Sequence, residues 1–170
     1  EVKDFRGQKM RIQSSKVLEA QMRALGASPQ VMAFSEVYQA LQTGVVDGTE
    51  NPPSNLYTQK MYEVQKYVTK SDHGYLGYAV IVNKAFWEGL PLDIRKALEE
   101  AMVESTKYAN DIAKLENEDS LAKVKESGKS EIIELTPEQK ASWKKALAKV
   151  HKEMAERVGP DSIESIYKAT

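Results

Sequence analysis

Cysteine is absent from the 170 residues, which removes disulfides, thiol nucleophiles and thiolate metal sites together. That absence is compatible with an oxidising compartment without requiring one. Histidine occurs only at His73 and His151, far apart and without a carboxylate pair at ligand spacing, so no zinc site is indicated. Charge of one sign is also missing: 24 Lys and Arg stand against 25 Asp and Glu, a net charge of -1. Such a balance offers no electrostatic case for nucleic acid or an anionic membrane as partner. No apolar run approaches the ~20 residues of a membrane-spanning helix; residues 78–82 form the longest that matters. No nucleophile stands beside a base, and neither a phosphate loop nor a dinucleotide glycine motif is present, so neither an enzyme nor a cofactor site is expected. Glu1-Val2-Lys3-Asp4 is neither an initiator nor the apolar part of a signal peptide, and the expectation is a chain that begins inside a longer one.

What is present suffices for a folded α/β domain. Apolar residues make up 41% of the chain, enough for a packed interior. The organising stretch is residues 32–53, MAFSEVYQALQTGVVDGTENPP. Ser35 can cap a helix there, with Val37, Ala40 and Leu41 on one face and Gly44 as a left-handed exit. Val45 and Val46 read as a very short strand, and Asp47-Gly48 as the start of a turn. Glu50, Asn51, Pro52 and Pro53 then fall where the carboxyl end of a strand opens onto a crevice, the usual ligand site of an open α/β sheet.

Upstream, residues 9–13 alternate, so Met10 and Ile12 can face a core while Arg11 faces away. Ser14 or Ser15 caps a helix ended by Gly26, and residues 30–32 suggest a second strand. The sum is a β-α-β-α-β order, the pattern of a parallel sheet with helical crossovers. Downstream, a helix is expected over 57–67 and a strongly β-prone strand over 75–82. Asn83 can cap a short helix carrying Phe86 and Trp87. A very long helical pattern then runs from Pro91 to about Ser127, roughly 35 residues or about 50 Å, with a break expected near 110–120 where Asn and Asp gather. A strand over 131–135 follows, and Thr136-Pro137-Glu138-Gln139 opens a helix through Arg157. A short helix over 161–168 closes the chain.

Three words in this order resemble one known family: GQKMRIQ at 7–13, LGASPQVMAFSEVYQALQTGVVDGTENP at 25–52 and YEVQKYVTKSDHGY at 62–75. They resemble the extracytoplasmic solute-binding proteins of TRAP transporters, the DctP type that binds dicarboxylates or sialic acid. Order and spacing match from near residue 3 to at least residue 100, and the remainder matches in helical style. The resemblance implies a type II periplasmic-binding-protein-like α/β fold, with parallel-sheet lobes, helical crossovers and a long lobe-bridging helix. It also implies that this chain is the C-terminal portion of a two-lobe protein whose N-terminal lobe is absent. By that pattern residues 1–75 belong to one lobe, 76–115 cross to the other with the start of the long helix, and 116–170 return. The implied function is periplasmic capture of a small organic acid and its delivery to TRAP membrane permease subunits, without catalysis.

Candidate binding residues follow from matching positions. Arg11 matches the arginine that clamps the substrate carboxylate in this family, and a guanidinium does present two parallel donors to two carboxylate oxygens. Spacing alone reads it as a solvated arginine at a strand end. Asn51 matches a ligand-facing asparagine, against the plainer reading of a turn residue bonding its own backbone. Phe34 matches an apolar wall of the pocket, or is ordinary core. Ser14 lies just beyond the Arg11 strand and can donate a hydroxyl or cap the helix. Glu50 can join a cleft network, though beside an anionic ligand it repels unless paired. His73 and Tyr75 stand where the chain would cross between lobes, with a structural hydrogen bond the plain reading of the histidine. A strand over 75–82 without sheet neighbours leads to the further expectation that the chain associates with itself. The alternative function is a solute-binding scaffold reused as a sensor or partner-binding domain, which predicts a cleft stripped of polar residues.

Overall fold

The structure is a computed structural model that describes residues 1–169. It begins with a 3-10 turn, Val2–Phe5, followed by strand β1, Lys9–Ile12. The Ser15 hydroxyl accepts the Leu18 N–H at 3.3 Å and starts helix α1, Lys16–Leu25; Ser14 makes no cap. Gly26, at φ +89°, turns the chain out of α1 into β2, Ser28–Val31. β2 pairs parallel with β1 from Lys9↔Ser28 to Ile12↔Val31, two residues earlier than the expected second strand.

The organising stretch departs from expectation at both ends. Ser35 caps nothing, because it lies inside a 3-10 turn, Phe34–Glu36, that leads straight into α2, Val37–Gln42. Val45 and Val46 form no strand: Val46 drops into the core at 1% exposure while Val45 points out at 56%. The Asp47 N–H instead donates to Lys9 O at 2.8 Å, and its carboxylate accepts the Lys9 N–H at 2.7 Å. Strand β3, Gly48–Thr49, starts after this double bond and pairs parallel with β1. Glycine suits its first position, since a Cβ on Gly48 would sit 2.8 Å from the Met10 sulfur and push that buried side chain aside. The sheet order is β2-β1-β3.

The expected helix over 57–67 divides. Helix α3 covers Pro53–Thr58, Lys60 takes a left-handed conformation at φ +54°, and a 3-10 turn, Met61–Glu63, buries Met61 completely. Strand β4, Tyr67–Lys70, then pairs parallel with β5, Glu131–Glu134, in a second sheet. The hydroxyl of buried Ser130 lies 2.8 and 2.7 Å from the Tyr62 and Gln65 carbonyl oxygens and fixes that junction. The strand expected over 75–82 is irregular chain, because no neighbouring strand lies beside it among the described residues. Tyr75, Tyr78, Val80 and Ile81 are each at least 78% exposed.

Asn83 caps α4, Lys84–Gly89, as its side chain predicts. Helix α5, Leu92–Glu126, then runs 35 residues without the expected break. Its Asn117 Nδ2 bonds the Ala113 carbonyl oxygen one turn back, while Oδ1 accepts the Ser54 N–H at 3.1 Å. The asparagine that weakens the helix on paper is occupied as a tertiary cap for α3. Asn117→Ala is expected to cost about 1 kcal/mol, seen as a melting temperature lower by about 2–4 °C. Only the last part of α5 enters a core, through Ser120 and Val124. Between residues 75 and 119 none is buried.

A Thr136–Gln139 capping box opens α6, Pro137–Glu153, which ends four residues short of Arg157. Helices α7, Ala155–Val158, and α8, Pro160–Ala169, follow. One core joins Met10, Ile12, Met22, Leu25, Trp143 and Leu147; the other joins Val37, Leu41, Val46, Leu56, Met61 and Val124. Strand β1 belongs to the first of these packed regions and the end of helix α5 to the second. Among the described residues no helix is long and apolar enough to cross a membrane.

Candidate carboxylate-binding site

Arg11 leaves β1 on the face opposite Met10 and Ile12, as alternation requires, but does not reach water. It is 1% exposed, a correction to the solvated reading. Its Nε and Nη2 donate to the Met32 carbonyl oxygen at 3.1 and 2.8 Å, and the Phe34 ring lies 5.6 Å from the guanidinium carbon. Both contacts come from the turn that follows β2. Phe34 is 37% exposed, so it covers the arginine instead of filling a core. Nη1 is buried without a partner among the described residues. A guanidinium has five N–H donors, and two of them satisfy Met32. The end-on pair formed by Nη1 and the second hydrogen of Nη2 remains, in the parallel geometry that fits a carboxylate.

A buried cation with unused donors is costly unless something pairs with it. Burial pulls the Arg11 pKa down, and the charge of Glu50 pushes it back up. Glu50 shows the mirror image: burial raises its pKa and Arg11 lowers it. Its Oε1 is buried without a donor among the described residues, and so is Oδ1 of the adjacent Asn51. The Asn51 amide nitrogen is engaged, donating to Thr49 Oγ1 at 3.1 Å and contacting Met61 Sδ at 3.7 Å. The region thus carries one cationic donor and two orphaned acceptors, the acceptors on the loop that sequence alone placed at a crevice and the donor at the position that the resemblance assigned to the clamp.

An open cavity of about 1280 Å³ lies between the two sheets, with Ser14, Glu50, Asn51, His73 and Tyr75 on its wall. Five of the seven candidates are therefore brought together, while Arg11 and Phe34 lie outside the lining. His73 makes structural contacts. Its Nδ1 lies 2.7 Å from the Ser71 hydroxyl, its ring tilts against Trp143 at 5.7 Å, and burial depresses its pKa against the opposing pull of Asp72. Asp72, at φ +48°, pairs with Lys140 at 3.0 Å. Tyr75 is 95% exposed and Ser14 is exposed. Sequence reasoning missed the groups that hold the site: the Met32 carbonyl, Thr49, Met61, and Trp143 on the cavity wall. Backbone carbonyls leave no trace in side-chain spelling, and Trp143 read only as helix packing. Among the described residues no cluster of three His, Asp or Glu could hold a metal.

The model of the bacterial extracellular solute-binding protein family 7, DctP, matches residues 1–158. The chain belongs to this family. Among family 7 relatives, the chain is 68% identical over 167 residues to the C4-dicarboxylate-binding periplasmic protein DctP of Rhodobacter capsulatus, covering 98% of this chain and 50% of that protein. It superimposes at a TM-score of 0.94 and 40% identity on a TRAP periplasmic solute-binding protein from Shewanella oneidensis with bound succinate, covering 96% of this chain and 54% of that one. A second such protein, from Sulfurospirillum deleyianum and also with bound succinate, gives 0.93 at 50% identity, with 98% and 55% covered. The fold is thus that of the TRAP periplasmic solute-binding proteins, the type II periplasmic-binding-like expectation. The chain spans about half the length of the curated relatives it matches.

Proposed function

We propose that this chain is the C-terminal portion of a periplasmic protein that captures a small organic acid and delivers it to a TRAP membrane permease, without catalysis. The observation that carries this reading is Arg11, a fully buried guanidinium whose end-on donors have no partner among the described residues. Family membership and succinate-bound neighbours support the same ligand class. In this reading Arg11 supplies the ion pair, Phe34 forms the apolar wall over it, Asn51 directs polar groups, and Ser14 and Glu50 complete the cleft. Closure of an opposing lobe expels water and strengthens every one of these contacts. Residues 1–75 form one lobe's first segment, 76–115 cross to the other lobe, and 116–170 return.

The test is calorimetric titration of the full-length protein with a panel of small carboxylates that includes succinate and L-malate. Tight binding of at least one acid is expected. Silence across the panel, from folded and ligand-free protein, overturns the reading.

The lobe assignment has its own consequence. The apolar side chains along 75–103 lie open to water in this chain, among them Tyr78, Ile81, Phe86 and Leu92. Exposed apolar surface on this scale drives association. The 170-residue chain alone is expected to run as a dimer or larger by light scattering, and a well-behaved monomer near 19.1 kDa counts against it.

A further inference from the structure

Arg11, Glu50 and Asn51 present an imbalance of hydrogen-bonding groups that a bound carboxylate makes worse. The unused donors are on Arg11 alone, since the Asn51 amide nitrogen is engaged; Glu50 Oε1 and Asn51 Oδ1 are both buried acceptors without a donor among the described residues. A ligand carboxylate adds two more acceptors and a second negative charge. Two carboxylates sharing one cation in a buried site do not both remain ionised easily, and a proton held between them relieves the repulsion. A protonated carboxyl is also a donor, which an ionised one is not. On Glu50 that new O–H can serve the ligand or the neighbouring Asn51 oxygen.

We infer that Glu50 is the proton-accepting counter-ion of this site, so that the protein takes up its carboxylate ligand together with one proton. The inference rests on the carboxylate-binding reading above. Burial already biases Glu50 towards its neutral form, and Arg11 on β1 is the charge that opposes this. The other charged groups near it are engaged elsewhere or exposed. The Asp47 carboxylate is held by the Lys9 backbone N–H at the open end of the β1–β3 ladder, the Lys9 side chain is exposed, and across the cavity Lys66 lies over the Tyr67 ring, Lys70 pairs with Glu134 and His73 bonds Ser71.

The sign follows from linkage. Once a ligand shares Arg11, the Glu50 pKa rises further, so binding takes up a proton at any pH between the free and bound values. Affinity then weakens as pH rises through that window, by up to about tenfold per unit for one proton. The experiment is titration of the full-length protein with succinate and L-malate between pH 6.5 and 8.5, in buffers of contrasting ionisation enthalpy, on which the apparent heat depends in proportion to the protons exchanged. The wild type is expected to show net proton uptake, at most one proton per ligand. Glu50→Gln is expected to bind with no uptake and a flat pH profile, and more tightly than wild type at pH 8. Heats independent of buffer in the wild type overturn the inference while leaving carboxylate capture standing. Uptake that survives in Glu50→Gln also overturns it and assigns the proton elsewhere. Absence of any binding overturns the functional reading and this inference with it. The wild-type arm decides alone if the variant does not fold.

Discussion

Arg11→Ala in the full-length protein is expected to weaken carboxylate binding by about 2–5 kcal/mol, roughly 30- to several-thousand-fold. The size of the effect follows from burial. At 1% exposure the guanidinium acts where water screens little, and its end-on donors have no other partner among the described residues. Removing it also strips the Met32 carbonyl oxygen of two donors and takes the support from beneath Phe34. A thermal melt beside the calorimetry separates the two consequences, because loss of fold lowers the active fraction and loss of the clamp lowers affinity. Arg11→Lys keeps the charge but not the parallel donors, and is expected to recover only part of the loss. Binding by Arg11→Ala within about threefold of wild type would show that the carboxylate docks elsewhere.

The second large effect is structural. Trp143→Ala is expected to cost about 3–5 kcal/mol, the range for emptying a buried large aromatic site. For a chain of this size that is a fall in melting temperature of about 6–20 °C. Trp143 is 4% exposed and stands edge-on to Phe5, with ring centroids 5.1 Å apart, and beside His73. It therefore joins the N-terminal turn, α6 and the segment that leaves β4, three pieces far apart in sequence. Its Nε1 has no partner among the described residues, so the indole contributes by packing and not by a hydrogen bond. Trp143→Phe keeps a ring in the gap and discards the unpaired N–H, and is expected to cost much less. Equal melting temperatures for Trp143→Ala and the wild type would contradict this account.

Local spelling and remote contacts each fix a different part of this fold. Where the deciding interaction lies within one turn of chain, spelling was enough at most positions, Ser35 being the exception. Ser15, Asn83 and Thr136 start their helices because each side-chain oxygen accepts an N–H three residues on, and Gln139 Oε1 accepts the Thr136 N–H in return. Gly26 ends α1 because the left-handed conformation is open to it. The parallel β-α-β order and the 35-residue helix follow from periodicity, and the family follows from three long words in register. Wherever the partner is remote, local preference was overruled. β3 begins at Gly48 because Asp47 bonds Lys9, not because Val45 and Val46 favour strands. α5 stays whole through Asn117 because Ser54 occupies its side chain. Residues 75–82 have the strongest strand preference and form no strand, since a strand is made by the neighbour it bonds. The same holds at the site. Arg11, Glu50 and Asn51 could be named from the sequence, but that Arg11 is buried, held by Met32 and left with two donors to offer is a property of chains packed together, because burial and unmet hydrogen bonds exist only once distant segments meet.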